Sequence, residues 1–332
     1  MSNTRLQLHT ARELGEMLLR LAHHGHDPAL AVLAHYALGA TWFCLGGLPV
    51  AYQHMEEGIA RYTPDQRRAP VFRIGQDLGV GSHVFAAMTL WLLGYPAQAL
   101  VHLHDALTLA HELSHPFSLG FAQLFAAFVY QWRRDMPAVH EQADAAVTLA
   151  TEQGFTLLAA GGTSLCGWAL TMQGQSEEGI AQIRQGIASY RATGAALHVP
   201  CLCTLLADVS AHLGHTKDGL QALAEAHTLV QQHEERYWEA EIYRLRGVLL
   251  LQQTGTSQAE AGTWLQRALD VARRQQAKSL ELRAAMSLAR LWQRQGKRDE
   301  ARELLTTVYD WFTEGFDTGD LQEAKALLDA LA

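Results

Sequence analysis

The sequence predicts an all-α superhelix of about seven helix pairs, closed at each end by a capping helix. Turn signals recur at markers Gly46, Gly94, Asp135, Gly174, Gly214, Gly255 and Gly296. Successive markers are separated by 48, 41, 39, 40, 41 and 41 residues. Between the markers, apolar residues follow the period of a helix, and few stretches alternate as a strand does. A period of this length is typical of stacked helical hairpins.

The elements follow in order along one predicted domain, which covers the whole chain. An N-terminal capping helix occupies 1–27, with its amphipathic part at 6–25. About seven hairpins fill 28–316, and a final amphipathic helix at 317–332 covers the last pair. The first step is longer because 62–77, with two prolines and five formal charges, lengthens one connection.

Small residues define the register of the hairpins. Seven residues before a marker stand Gly39, Ala87, Gly167, Ala207 and Ala289, and five after it stand Ala51, Ala99, Gly179, Gly219 and Ala301. Such residues let two antiparallel helices approach closely. The third unit has Phe128 and His140 at these positions, which predicts splayed or rotated helices. The sixth keeps Gly247, Ala261 and Ala268 around a longer turn.

Composition restricts the classes of partner. Of 332 residues, 48% are hydrophobic and 18% charged, which excludes global disorder. The net charge of −8 argues against binding to nucleic acid or to an anionic membrane. The four cysteines, Cys44, Cys166, Cys201 and Cys203, form no CxxC pair, and the N-terminal segment lacks an apolar signal-peptide core. We therefore expect a cytoplasmic protein without cofactor.

The pattern L-G-x-x-W at 38–42, followed by a turn glycine and A-x6-G at 51–58, resembles a tetratricopeptide (TPR) repeat. Segments such as LWLLGYPAQALVHLHDALTLAHEL and ERYWEAEIYRLRGVLLLQ resemble the C-terminal repeat region of bacterial multidomain regulators. Those proteins carry a nucleotide-cyclase or DNA-binding module and a signal-transduction ATPase module. The resemblance implies a TPR-like solenoid that binds a protein segment, with the ATPase or cyclase module of the same polypeptide as one candidate. No G-x4-G-K-[ST] loop is present, so the catalysis of those modules does not transfer to these residues.

The stretch HELSH at 111–115 fits the zinc-protease motif H-E-x-x-H. In that motif one helix continues through both histidines, so that they share a face. Here the repeat register predicts a helix from about Pro96 to Leu113. Pro116 moreover disfavours helical backbone at His115. We interpret the match as a coincidence at a helix end, and a zinc hydrolase remains only a remote alternative.

The first helix of each hairpin should line the concave surface of the superhelix. The predicted groove-facing residues are Tyr36, Phe43, Trp91, Phe125, Trp132 and Trp168 in the first four units, and Glu241, Arg244, Arg283, Arg290 and Arg294 in the last two. Each ring has a simpler alternative role in the core between repeats, and each arginine has one in a solvated ion pair. Aromatic and arginine residues together are typical of binding hot spots.

Three functions follow from this pattern. We favour a non-catalytic interaction or sensor module that binds a peptide or partner-protein segment, with its carboxylates against the arginines. The second is a small-molecule sensor of a transcription regulator, in which the rings would stack on a sugar. The third is the zinc hydrolase. The sequence sets no oligomeric state.

Overall fold

The computed structural model describes residues 5–63, 75–253 and 258–332, and within them it contains sixteen α-helices and no strand. The helices are α1 (Arg5–Gly25), α2 (Pro28–Cys44), α3 (Leu48–Arg61), α4 (Leu78–Leu93), α5 (Pro96–Leu113), α6 (Pro116–Arg133), α7 (Met136–Gln153), α8 (Thr156–Met172), α9 (Ser176–Ala192), α10 (Val199–Leu213), α11 (Thr216–His233), α12 (Glu239–Gln252), α13 (Gln258–Gln275), α14 (Lys278–Arg294), α15 (Arg298–Tyr309) and α16 (Gly319–Leu331). The marker Gly255 and most of 62–77 lie outside the described residues.

Seven antiparallel pairs, from α2–α3 to α14–α15, stack side by side between the terminal helices α1 and α16. The predicted all-α superhelix of about seven hairpins with capping helices is therefore confirmed. Many helices start at a proline in their first turn, where the missing N–H costs no hydrogen bond. Among the described helices, none is both long enough and apolar enough to cross a membrane.

The turn inside a hairpin requires left-handed backbone at one residue, which glycine adopts without a Cβ penalty. Gly46, Gly94, Gly174, Gly214 and Gly296 occupy this position, with φ between 76° and 95°. In the third hairpin the position belongs to Arg134, with φ of 61°, so the marker at Asp135 is wrong by one residue. Asp135 instead caps α7, where its carboxylate accepts the Ala138 N–H at 3.3 Å.

This correction restores the register of the third hairpin. Counted from Arg134, the tight positions are Ala127 and Val139, and both are fully buried. Phe128 is buried beside them, whereas His140 is exposed. The expectation of splayed helices rested on the wrong register.

Close approach within a hairpin is clearest between α8 and α9. A Cβ added to Gly167 would lie 2.5 Å from the carbonyl oxygen of Gly179, and one added to Gly179 would lie 2.5 Å from that of Gly167. Real Cβ atoms do not approach so closely. The small residues therefore set the distance between the two helix axes, as the sequence predicts.

The superhelix closes on itself, because three inner helices of the N-terminal half end against the C-terminal half. Carbonyl groups in the last turn of a helix lack an intrahelical donor. The N–H of Arg236 donates to the carbonyl of Cys44 at 2.6 Å, and the hydroxyl of Ser279 donates to that of Trp91 at 2.6 Å. The Arg283 guanidinium donates to the carbonyl of Trp132. Donors from the far end of the chain thus satisfy the ends of α2, α4 and α6.

Ion pairs and loop contacts extend this closure. Glu314 accepts the N–H of Ala97 at 2.8 Å, at the first turn of α5. Arg133 pairs with Asp317 at 3.2 Å. These contacts join segments that are 217 and 184 residues apart in the chain.

Candidate functional site

Most of the predicted groove aromatics lie inside the core. Phe43, Trp91, Phe125, Trp132 and Trp168 are at most 4% exposed. Tyr36 is half-buried, and its ring contacts that of Phe85 at 6.0 Å. This is the core alternative that the sequence left open. The rings therefore do not form an accessible wall along the N-terminal half.

Two residues after the fifth hairpin, Tyr237 and Trp238, cover three of these rings. The Phe43 ring lies 4.4 Å from that of Tyr237, measured between centroids. The Trp132 ring stacks on Trp238 at 4.7 Å, and Trp91 lies 6.2 Å from the same indole. The loop before α12 thus occupies the space that an open superhelix would offer to a ligand.

Arg283 joins the two predicted halves of the groove. Its guanidinium lies 5.0 Å from the centre of the Trp91 ring, a cation–π distance, and donates to the carbonyl of Trp132. It also donates to Asp320 at 2.7 Å and lies 3.4 Å from Glu241. The aromatic and arginine-rich halves bind each other here.

The remaining arginines are paired to different degrees. Arg244 makes a two-point contact with Glu241, at 2.8 and 2.7 Å. Although burial raises the pKa of Glu241, the charges of Arg244 and Arg283 outweigh it and lower that pKa to about 2. Arg290 pairs with Glu323 at 2.5 Å, and Arg294 is exposed.

A cavity of about 440 Å³ remains on the concave side, between the inner helices α6, α8, α10, α12 and α14. Its polar lining comprises Gln131, Arg134, Thr204, Asp208, His212, Glu241, Arg244 and Arg283; its apolar lining comprises Met136, Trp168, Met172, Ala211, Trp238, Leu245 and Val248. Of the eleven predicted groove-facing residues, Trp168, Glu241, Arg244 and Arg283 border it. The other seven do not, and a binding role for any of the predicted residues stays a prediction.

Asp208 faces this cavity from α10. The indole N–H of Trp168 donates to its Oδ2 atom at 2.8 Å, which fixes the carboxylate against the ring. His212 lies four residues later, on the same face of the helix. A carboxylate, an imidazole and an indole thus meet at one wall of the cavity.

Sequence reasoning missed Asp208, although a signal for it existed. Asp208 stands 40 residues after Trp168, which equals the step from the marker Gly174 to the marker Gly214. Equivalent positions of neighbouring repeats lie side by side, so a residue one period from a groove-facing ring also faces the groove. Trp238 was missed because it lies in the loop before α12, outside the helical pattern.

The HELSH stretch adopts the predicted helix end. α5 stops at Leu113, and Ser114 has left-handed backbone with φ of 49°. His115 is instead the capping residue of α6, where its Nδ1 accepts the N–H of Ser118 at 3.3 Å. Within residues 5–63, 75–253 and 258–332, no group of three or more His, Cys, Asp or Glu residues is arranged to hold a metal ion.

Comparison of the sequence with known proteins gives limited information. No family model matches the chain. An uncharacterized protein of Rhizobium meliloti (strain 1021) is 23% identical over 269 residues. The alignment covers 80% of this chain and 26% of that protein, so the chain spans about a quarter of the length of this curated relative.

Solved structures with a similar fold are helical-repeat proteins. A Rap protein complexed with Competence and Sporulation Factor has a TM-score of 0.58 at 11% identity, over 98% of this chain and 97% of that one. Aspartyl phosphate phosphatase F from Bacillus subtilis has a TM-score of 0.54 at 12% identity, covering 90% and 74%. Human IFIT1, as a dimer with PPP-AAAA, has 0.52 at 16% identity, covering 98% and 68%. At these identities the similarity shows the fold alone, and it confirms a TPR-like helical-repeat solenoid.

Proposed function

We propose that this protein is a non-catalytic helical-repeat interaction module that binds a short segment of a partner protein in its central cavity. The observation that carries the proposal is the cavity itself, bordered by five inner helices of successive repeats. Concave pockets that combine apolar walls with a few fixed polar groups are the usual binding sites of proteins. The Rap protein of similar fold, which is complexed with Competence and Sporulation Factor, supports a recognition role.

The closure of the superhelix limits the length of the bound segment. Tyr237 and Trp238 fill the space beside α2, α4 and α6, so an extended peptide has no continuous groove. A volume of about 440 Å³ lies within the range of about 300–1,000 Å³ that holds small ligands. We therefore propose that a few side chains of the partner enter the cavity while the rest contacts its rim.

The partner belongs, in this proposal, to a cytoplasmic signalling polypeptide, with an ATPase or cyclase module as the first candidate. The basis is the sequence resemblance to the repeat regions of such regulators. Binding of nucleic acid is not part of the proposal, because the net charge is −8. IFIT1, in contrast, is known with PPP-AAAA, so this RNA serves as a probe below.

A small-molecule sensor is the second candidate, and the size of the cavity favours it. The cavity is lined mainly by residues of five helices, and its polar side chains offer hydrogen-bond partners to the hydroxyl groups of a sugar. The first candidate predicts binding of peptides, and the second predicts binding of sugars. Binding tests with both classes of ligand therefore distinguish the two candidates.

A blocked cavity tests both candidates. Ala211 borders the cavity, and Ala211→Trp should fill it. Ala224→Trp, at an exposed position of α11, is the matched control. The probes are end-blocked pentapeptide mixtures, a set of monosaccharides and disaccharides, and PPP-AAAA, with binding followed by ligand-observed NMR.

The proposal expects peptides to bind the wild type and Ala224→Trp but not Ala211→Trp. If only the sugars bind, and Ala211→Trp abolishes their binding while Ala224→Trp does not, the result would favour the small-molecule sensor. Peptide binding that persists in Ala211→Trp, or binding of RNA alone, would contradict a cavity-based interaction module.

A further inference from the structure

We infer that the group entering the cavity is cationic, an ammonium or guanidinium on an apolar stem, and that Asp208 is its counter-ion. The inference rests on the proposed function, since it specifies the ligand of the same cavity. The sequence suggested a ligand of the opposite charge, with carboxylates that bind to the arginines.

The first step is that the cavity's arginines already have counter-ions. Arg244 is held by Glu241 through two charge-assisted hydrogen bonds at 2.8 and 2.7 Å. Arg283 is held by Asp320 at 2.7 Å. Arg134 pairs with Glu323 at 2.7 Å, a carboxylate that it shares with Arg290, and its Nε lies 3.3 Å from the carboxylate of Asp320.

A ligand carboxylate would have to compete with these pairs. Displacing Glu241 from Arg244 would leave a buried, ionised glutamate with fewer partners, and buried charges without a partner are strongly unfavourable. The arginines therefore position their own carboxylates rather than offering free charge. An anionic ligand gains little here.

The second step is that Asp208 has no such partner. Among the described residues, no lysine or arginine forms an ion pair with it, and its Oδ2 atom accepts only the neutral indole N–H of Trp168. The charges of Arg134 and Arg244 reach Asp208 through space, but both side chains are engaged by closer carboxylates. Oδ1 of Asp208 is therefore the acceptor that the cavity offers to a ligand.

The third step is the apolar wall beside this carboxylate. Trp168, Met172, Ala211 and Val248 border the same cavity. An alkyl stem, such as that of lysine or arginine, would contact these side chains while its charged end reaches Asp208. The hydrogen bond from the Trp168 indole N–H to Oδ2 holds this carboxylate in place beside the apolar wall.

Three probes with one stem and different head groups test the inference: hexylamine, 1-hexanol and hexanoate. The readout is the indole N–H of Trp168 in a ¹H–¹⁵N spectrum, assigned by the loss of its resonance in Trp168→Phe. Asp208→Asn keeps an oxygen acceptor for the indole but removes the charge. Asp218→Asn, at an exposed aspartate paired with Arg184, is the matched control.

We expect hexylamine to bind most tightly and to lose about tenfold in affinity in Asp208→Asn, as for a hydrogen bond to a charged group. Hexanol should bind both forms equally, and Asp218→Asn should behave as wild type. Tightest binding of hexanoate, or hexylamine binding unchanged in Asp208→Asn, would overturn the inference while leaving the cavity as a binding site. If none of the three probes shifts the Trp168 resonance, both the inference and the proposed function fail.

Discussion

Replacement of Glu235 by glutamine should remove a pH dependence from the stability of the protein. The Glu235 side chain lies in the loop before α12 and is 1% exposed. Its Oε1 atom accepts the N–H of His198 at 2.7 Å, and its Oε2 atom has no hydrogen-bond partner. Burial raises the pKa of Glu235 from 4.5 to about 8, against the opposing effect of the His198 hydrogen bond.

The magnitude follows from proton linkage. Between pH 4.5 and 8 the folded protein holds the Glu235 proton and the unfolded chain does not, so stability falls as pH rises. Each pH unit in this window costs about 1.4 kcal/mol, which amounts to about 3 kcal/mol between pH 5.5 and 7.5. Below pH 4.5 both states are protonated and this loss disappears.

Urea unfolding followed by helical circular dichroism at pH 5.5, 6.5 and 7.5 measures the effect. The difference in unfolding free energy between Glu235→Gln and wild type should move in favour of the variant by about 3 kcal/mol across this range. The difference cancels other titrating groups. Its absolute value also contains the cost of the unpaired glutamine N–H₂ group, so only the slope tests the reasoning.

Glu152→Gln, at an exposed position of α7, is the control for the exchange of a carboxylate for an amide. A difference between Glu235→Gln and wild type that stays constant from pH 5.5 to 7.5 would refute the reasoning. It would mean that Glu235 is ionised in the folded protein.

Three further outcomes are expected. Gly167→Ala should destabilise the protein by about 1–3 kcal/mol, since its Cβ would lie 2.5 Å from the carbonyl oxygen of Gly179. In the control Gly25→Ala the added Cβ meets no atom within 4 Å, so stability should not change. Equal urea midpoints for the two variants would contradict this prediction. Arg283→Met should cost about 3 kcal/mol, because it removes one of the two guanidinium partners from each of the buried carboxylates Asp320 and Glu241. It should also raise the radius of gyration in X-ray scattering as the closure loosens, and an unchanged radius would argue against a closing role. Burial is the main cause that lowers the pKa values of His83 and His102 below 6.5, to about 4 for His83, so the free energy of unfolding should decrease as pH falls from 6.5 towards 4. The double variant His83→Asn/His102→Asn should show a smaller decrease in urea unfolding. A decrease identical to that of the wild type would contradict the role of these histidines.

The sequence predicted the helices and their order because these depend on local contacts. Prolines, left-handed glycines and small residues act within one hairpin, so a single repeat contains the information needed to place its turn. The helix end inside HELSH followed from the same register. Among the described turns, the marker at Asp135 in place of Arg134 was wrong because an arginine occupies the left-handed position that glycine holds in the other described hairpins.

The candidate site was less predictable, because it depends on which surfaces meet. Trp168, Arg244 and Arg283, which the helical pattern assigns to the groove, border the cavity. Phe43 and Trp132 follow the same helical pattern but are covered by the loop before α12. The helical period predicts which side of a helix faces inward, but it does not predict which residues pack against that side.

By itself, the amino-acid sequence determined an array of helical hairpins with a period of about forty residues and small side chains where paired helices cross. Only the tertiary structure decided that this array closes on itself, that the arginines bordering the cavity pair with carboxylates of the same chain, and that Asp208 faces the cavity. The physical reason is the separation in sequence between the residues that make the contacts. Each hairpin folds on contacts between residues close in sequence, whereas closure depends on hydrogen bonds and ion pairs between segments up to about 200 residues apart, such as Ser279 with Trp91 and Glu314 with Ala97.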